Sequence, residues 1–149
     1  PKDFVHAIKN HYLGKHITPS SVLEPSAGTG NLVDWIDDRS IVDCYDVSEL
    51  QCKVLGAKGY KTNNADFMLI EPIANYDLIV MNPPYNKNQC YEHIKHAEKF
   101  LVKSGIIYIV VPSGHRHKYE SEGYKIVGEF DRGFKNTGIE TVAMFKMKV

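Results

Sequence analysis

The stretch YDLIVMNPPY, residues 76–85, decides how this chain is read. Its first six residues form a nearly unbroken apolar run of strand length, the pattern of a strand buried on both faces. Asn82-Pro83-Pro84-Tyr85 follows directly. A second junction of the same kind lies upstream, where residues 21–24 (SVLE) run as a short strand into PSAGTG, residues 25–30. Working outward, residues 2–13 place Phe4, Val5, Ile8, Tyr12 and Leu13 at helical spacing and stop near Gly14. Residues 31–38 read as a helix with Leu32, Val33, Trp35 and Ile36 apolar, and residues 40–45 as a second strand ending at Asp46. A helix is expected over 48–58, with Ser48 as N-cap and Gly59 as terminator. Residues 60–63 make a weak third strand ahead of Ala65-Asp66-Phe67. Beyond the central stretch, 88–102 read as helix and 106–111 as another buried strand. Residues 124–130 and 140–147 alternate apolar and polar about a Gly-rich segment, which predicts an antiparallel hairpin at a sheet edge.

Strands alternating with helices imply right-handed crossovers and a parallel sheet covered on both faces. Ligands bind such sheets beyond the carboxyl ends of the strands. That rule selects residues 24–30, Asp46, Asp66-Phe67 and residues 82–85, and each of these places carries a polar residue or a motif.

The 149 residues fit a single domain spanning 1–149, large enough for a substantial core. Apolar residues make up 43% and charged residues 24%, a globular composition. Lys plus Arg (18) balance Asp plus Glu (18), so nucleic-acid contact must be local or supplied by a partner. No apolar run approaches the roughly 18–20 residues that span a bilayer. The opening PKDFVHAIKN lacks the pattern of a signal peptide. Cys44, Cys52 and Cys90 form no CxxC pair and read as reduced thiols of a cytoplasmic protein. Cys90, His93 and His96 fall three apart on the expected helix, but with no fourth ligand nearby no metal site is assigned. His6, His11 and His16 match no helical face and read as surface or turn residues.

The loop EPSAGTG opens a helix, and Gly28 and Gly30 allow a sharp turn and close approach of a ligand. The third glycine of a dinucleotide fingerprint is missing, since Val33 stands there, and no GK[ST] follows. Asp46 at the end of the second strand suits the two hydroxyls of a ribose, in NAD or in S-adenosylmethionine. Asp66 suits the amino group of an adenine, with Phe67 packing on the base. Each acid taken alone reads equally well as a helix cap or a solvated turn. Together, at successive strand ends beside a glycine loop, they favour an adenosine-containing ligand.

The tetrad at 82–85 narrows the choice. Pro83 and Pro84 remove two consecutive N–H donors and push the chain toward extended geometry. The Asn82 side-chain oxygen and the Pro83 carbonyl are then two convergent acceptors, suited to an NH2 group, and Tyr85 offers a flat stacking face. The lone pair of a conjugated amine is delocalised. Hydrogen bonds to both its hydrogens favour a pyramidal, nucleophilic form that can attack an activated methyl held in line, and positioning plus electrostatics can lower such a barrier by several kcal/mol. The competing reading is an ordinary Asn-Pro turn at a strand end.

In this order these residues resemble S-adenosylmethionine-dependent amino-methyltransferases with an (Asn/Asp)-Pro-Pro-(Tyr/Phe/Trp) motif, and within them the catalytic core of adenine-specific DNA methyltransferases of the gamma type. The resemblance implies an α/β, Rossmann-like class I methyltransferase fold with a mostly parallel seven-stranded sheet, a C-terminal antiparallel hairpin and helices on both faces. It implies S-adenosyl-L-methionine as cofactor. It casts Pro1 and the following Lys2-Asp3-Phe4-Val5 as the end of a cofactor-holding motif, and Glu24, Pro25, Ser26, Ala27, Gly28 and Gly30 as the cofactor loop. Asp46 with Val47 becomes the ribose site, Asp66 with Phe67 the adenine site, and Asn82, Pro83, Pro84 and Tyr85 the catalytic tetrad, Asn82 also touching the cofactor. The segment 134–145 is similar to the closing hairpin, whose turn lies near the target base. Gamma-type enzymes usually carry a separate target-recognition domain. None is expected within this chain, which leaves recognition to a partner subunit or a second copy. A duplex base must also be flipped out to reach the tetrad. The basic run at 115–118 reads either as a phosphate contact or as a solvated loop.

The leading expectation is methyl transfer to the adenine N6 amine of DNA. RNA adenine and a protein glutamine amide share the chemistry and remain alternatives, as does a catalytically silent cofactor-binding subunit. A nicotinamide-dependent oxidoreductase would be separated by thermal shift with NAD against S-adenosylmethionine.

Overall fold

The computed structural model describes residues 2–86, 88–130 and 138–149. Its elements in chain order are α1 (Lys2–Leu13), β1 (Val22–Glu24), β2 (Val42–Asp46), α2 (Glu49–Ala57), β3 (Lys61–Asn64), β4 (Tyr76–Met81), α3 (Gln89–Glu98), β5 (Leu101–Pro112), α4 (Arg116–Ser121), β6 (Lys125–Phe130) and β7 (Thr141–Met147). The strands form one seven-stranded sheet in the order β3-β2-β1-β4-β5-β7-β6. The pairs from β3 to β5 are parallel, and β7 runs antiparallel to both β5 and β6.

Alternation along the strands divides the core. Val22, Val42, Leu78, Val80, Tyr108 and Val110 face the layer that holds Phe4, Ile8 and Tyr12 of α1 and Leu55 of α2. Leu23, Ile79, Met81, Ile107 and Ile109 face the other layer, with Cys90, Ile94 and Ala97 of α3 and Tyr119 of α4. With apolar cover on both sides, β4 is apolar from Leu78 to Met81, and its one charged residue, Asp77, sits near its start and binds Ser20 and Ser21.

The topology sets the site. From β1 the chain moves outward to β2 and β3, then crosses back to β4 on the other flank of β1. The carboxyl ends of β1 and β4 therefore adjoin where the winding reverses, and this is where an open α/β sheet leaves a crevice. The glycine loop and the tetrad are its two lips.

Five local expectations are corrected. Residues 31–38 are successive turns rather than a helix. Val33 N–H bonds to the Gly30 carbonyl at 3.1 Å and Ile36 N–H to the Val33 carbonyl at 3.0 Å. The carbonyls a helix would use are taken: Lys58 Nζ donates to Thr29 at 2.6 Å and the Trp35 indole to Leu32 at 2.8 Å. At the start of β2, Ser40 and Ile41 belong to a 3-10 turn capped by Asp38. The helix expected to reach 102 stops at Glu98, because the Phe100 carbonyl accepts from Asn75 and Tyr76 N–H at 2.9 and 3.1 Å and draws the chain into the sheet. The run at 115–118 is partly helical and internally paired. Arg116 is bound by Glu120 and Glu129, and Lys118 sits 3.8 Å from the Tyr91 ring centroid. His6 and His16 are exposed as expected, whereas His11 is half-buried and bonds the Tyr108 hydroxyl at 2.8 Å. The cysteines are free thiols. The hairpin strands form as expected, while residues 131–137 between them lie outside the described residues.

Candidate active site

Glu24 closes β1 with no exposure at all. Its Oε1 accepts from Ser26 N–H at 3.1 Å, while Oε2 is buried with no partner among the described residues. Burial pushes this carboxyl up to about 8; the Ser26 hydrogen bond opposes the rise and the Asp46 charge adds to it. Ala27 N–H bonds to the Tyr45 carbonyl at 3.0 Å and ties the loop to β2.

The two glycines serve different ends. Gly28 has φ +54°, and a Cβ placed there would meet nothing within 4 Å, so its backbone lies bare toward the crevice. Gly30 has φ +82°, and a Cβ there would stand 2.9 Å from the Tyr60 ring and 3.0 Å from Leu55. It lets the loop pack on α2 and the start of β3.

Asp46 locks the glycine loop to the start of α2. Its Oδ2 accepts from Gly28 N–H at 3.0 Å and its Oδ1 from Ser48 N–H at 2.8 Å. One hydrogen bond on each oxygen leaves acceptor capacity on both. Val47 beside it is 73% exposed, a bare apolar surface at the rim. Asp66 caps the short turn at Phe67–Leu69 by accepting from Met68 N–H at 2.9 Å. The Phe67 ring is 3% exposed and packs among Tyr45, His96 and Phe100, so little of it is open to a base. Asp66 thus combines an N-cap with a place in the cavity wall, whereas Asp46 caps no helix, Ser48 doing so for α2.

In the tetrad Pro83 is buried, and Asn82, Pro84 and Tyr85 are half-buried. The Tyr85 hydroxyl donates to Asn82 Oδ1 at 2.7 Å, with the Val110 carbonyl at 3.5 Å. Burial holds this phenol protonated well above its ordinary range. The acceptor expected to face an amine is therefore engaged within the tetrad itself.

Two cavities meet here. The larger, about 470 Å³, is lined by Pro25, Ser26, Asp46, Val47, Asp66, Phe67, Asn82 and Pro84. The smaller, about 210 Å³, is lined by Phe4, Val5, Ser26, Ala27, Gly28 and Asn82. Ser26 and Asn82 belong to both walls. Of the expected site residues, Glu24 lies beneath the loop, Gly30 packs away from both cavities, Pro83 and Tyr85 line neither cavity, Tyr85 packing against the core, and Pro1 lies outside the described residues. Sequence reading missed Gln89 and His93 of α3, Asn31 and Met68, which also line these walls. Sequence spacing singles out His93 only as a metal-ligand candidate, and nothing local marks the others, because all four come to the crevice through the packing of α3 and the turns beside the strand ends.

The arrangement fits an elongated ligand bearing a ribose and a purine. It has an acceptor pair at one strand end, an acid at the next, an apolar rim and a bare glycine backbone leading to a narrower chamber. Among the described residues no group of three His, Cys, Asp or Glu is placed to hold a metal ion, and no helix is long and apolar enough to cross a membrane. Cys90 lies 3.5 Å from the Tyr119 hydroxyl, and His96 Nε2 donates to the carbonyls of Phe67 and Ile70, both at 3.1 Å.

No family model matches the chain, and no curated protein matches it by sequence. Solved structures do match by shape. A Thermus thermophilus 16S rRNA N2 G1207 methyltransferase, in complex with AdoMet and guanosine, superposes with a TM-score of 0.64 at 17% identity over 87% of this chain and 35% of its own. A Listeria monocytogenes protein assigned as a class I S-adenosylmethionine-dependent methyltransferase gives 0.72 at 14% identity, over 98% of this chain and 59% of its own. A Haemophilus influenzae protein assigned as a methylase gives 0.69 at 19% identity, covering 99% and 98%. The chain thus spans only about a third and three-fifths of the first two, and nearly all of the third. What it shares with them is the Rossmann-like fold of class I methyltransferases, with its mixed seven-stranded sheet and C-terminal antiparallel pair.

Proposed function

We propose that this chain is an S-adenosylmethionine-dependent methyltransferase that methylates the exocyclic amine of adenine in DNA. One observation carries the reading: Asn82, first residue of Asn-Pro-Pro-Tyr, stands in the shared wall of the two cavities, beside the glycine loop and at the strand switch. In this reading Asp46 takes the ribose hydroxyls, Asp66 the adenine amino group, and Val47 covers the sugar. Ser26, Gly28, Phe4 and Val5 hold the amino-acid end in the smaller chamber. The bound cofactor supplies a methyl on a sulfonium that becomes neutral as the methyl leaves. The positive charge would pass to the methylated nitrogen, which is strongly acidic in that form and gives its extra proton to water, so no strong base is required of the protein.

The chain's own residues position the acceptor. Asn82 Oδ1 and the Pro83 carbonyl accept the two amine hydrogens and turn its lone pair toward the methyl, and the Tyr85 ring stacks on the base. The Tyr85 hydroxyl gives up Asn82 Oδ1 as the amine arrives. A second reading, an RNA amine, draws support from the Thermus thermophilus neighbour, whose acceptor N2 of guanine is also an exocyclic amine.

The test is transfer of labelled methyl to DNA, RNA and protein acceptors. Wild-type protein is expected to label DNA. Asn82→Ala is expected to lose at least 100-fold in turnover with unchanged cofactor affinity, as befits loss of a transition-state contact, and Asp46→Asn to weaken affinity. Tight cofactor binding with no acceptor labelled would leave a silent binding subunit in place of an enzyme, and labelling of RNA alone would establish the second reading.

A further inference from the structure

Helix α2 turns most of its apolar residues away from the core. Of its nine residues only Leu55 is buried. Leu50 is 71% exposed and Val54 37%, and Ala57 is exposed with them. These three stand at i, i+4 and i+7, so they form one stripe along the outer face of the helix. Val47, three residues ahead of Leu50 and itself exposed, carries the spacing to the rim of the larger cavity. Glu49 and Lys53 flank the stripe on one side, 3.5 Å apart and both largely exposed. Gly56 continues that flank, and a Cβ there would meet nothing within 4 Å. Helix α2 packs on β2 and β3 at the outer edge of the sheet, and nothing among the described residues covers this face.

We infer that this face is a homodimer interface, in which α2 packs antiparallel on α2 of a second copy about a two-fold axis level with Gln51. The face is its own complement, which is what a two-fold contact requires. An antiparallel two-fold keeps each flank on its own side, so Glu49 of one copy meets Lys53 of the other, twice by symmetry. The same register sets Leu50 of the second copy between Leu50 and Val54. It also brings Val47 of the second copy toward Gly56 and Ala57, where small side chains leave room. A parallel pair would set each flank against the other copy's opposite one, and both charges would lose these partners. Burial of the stripe drives association, while the exposed ion pairs contribute little energy and choose the register. A nine-residue helix offers less than the roughly 800 Å² that each partner gives to a standard interface, so the dimer is weak and follows concentration. Val47 is then common to the interface and to the wall of the larger cavity, which puts the second copy beside the crevice.

The experiment is sedimentation velocity over a concentration series from about 5 to 500 μM. Wild-type protein is expected to pass from monomer toward dimer across that range. Leu50→Lys, at an exposed position, is expected to weaken association at least tenfold while leaving the melting temperature of the dilute protein unchanged. Glu49→Lys and Lys53→Glu each set like charges face to face and are expected to weaken association about three- to tenfold. The double exchange, Glu49→Lys with Lys53→Glu, is expected to restore the wild-type constant. If Leu50→Lys does not fold, Leu50→Ala and Val54→Ala read the same loss. A protein that stays monomeric throughout the series overturns the pairing and leaves the face to a different partner. A dimer indifferent to the Leu50 substitutions overturns the use of this face, and a dimer that the double exchange does not restore overturns the antiparallel register.

Discussion

Tyr85 and Asn82 hold each other at 2.7 Å, so within the tetrad one hydroxyl competes with any incoming amine for the same oxygen. A neutral hydrogen bond of this kind contributes about 0.5–1.5 kcal/mol. Tyr85→Phe keeps the stacking ring and removes the competitor. It is expected to lower the acceptor KM about 2- to 10-fold with kcat little changed, in steady-state methylation. A raised KM would make the hydroxyl a substrate contact. Glu24 yields a second prediction at this scale. Its carboxyl titrates near 4.5 when free and about 8 in the fold, mainly through burial. Between those values the unfolded chain has released a proton that the folded chain retains. Stability therefore falls as pH rises through that window and levels off above it, by several kcal/mol at most. Glu24→Gln keeps shape and the Ser26 bond but cannot ionise. In thermal denaturation its stability relative to wild type is expected to increase from pH 4.5 to 8, and parallel profiles would refute the buried proton.

At the scale of elements, the loop between β1 and the turns that follow is held by three ties: Ala27 to β2, Asp46 to Gly28, and Lys58 to Thr29 and Asp34. The two glycines in it are expected to separate when mutated. Gly30→Ala meets the Tyr60 ring and Leu55 at a positive φ, and is expected to cost about 1–3 kcal/mol of stability. Gly28→Ala meets nothing, so backbone strain alone costs about 1–2 kcal/mol. Its new methyl group enters the open space that the proposed cofactor would occupy, and on that proposal affinity is expected to fall at least tenfold. Chemical denaturation and calorimetry on both variants check this, and equal affinity in Gly28→Ala would free that face of any ligand. The same element shows why 31–38 does not form the helix that its spacing predicts. Its apolar spacing is helical, but Lys58 and Trp35 take the carbonyls that a helix needs, and Lys58 arrives from α2's far end.

For the whole molecule, charge decides how it meets nucleic acid. Eighteen basic residues balance eighteen acidic ones, and the short basic run at α4 is spent on Glu120, Glu129 and the Tyr91 ring. Duplex binding by this chain is expected to be weak and only shallowly salt-dependent, with a log–log slope of about −1 to −3, one to three phosphates neutralised. Fluorescence anisotropy across a salt series measures it. A slope steeper than about −5 would require an extended phosphate-binding face. The protein also has a groove of about 480 Å³ at the opposite end of the sheet, among Lys95, Lys99, Leu101, Lys146 and Lys148, with neither the glycine loop nor the tetrad in its lining. Volume alone does not mark the site; the reversal of strand order does.

Read alone, the chain determined the class of fold, the two strand-end motifs and most of the crevice wall. Those depend on short-range facts: apolar runs of strand length, glycine where the backbone must turn, and proline where a donor must be missing. Tertiary structure decided the rest. Only the crossing from β3 back to β4 sets Asn82 beside Ser26, only the packing of α3 turns His93 and Gln89 into the cavity, and only Tyr85 folding inward engages the Asn82 oxygen. Each is a meeting of groups distant along the backbone or a choice of side-chain rotamer, and such events follow from how the core closes rather than from any local pattern.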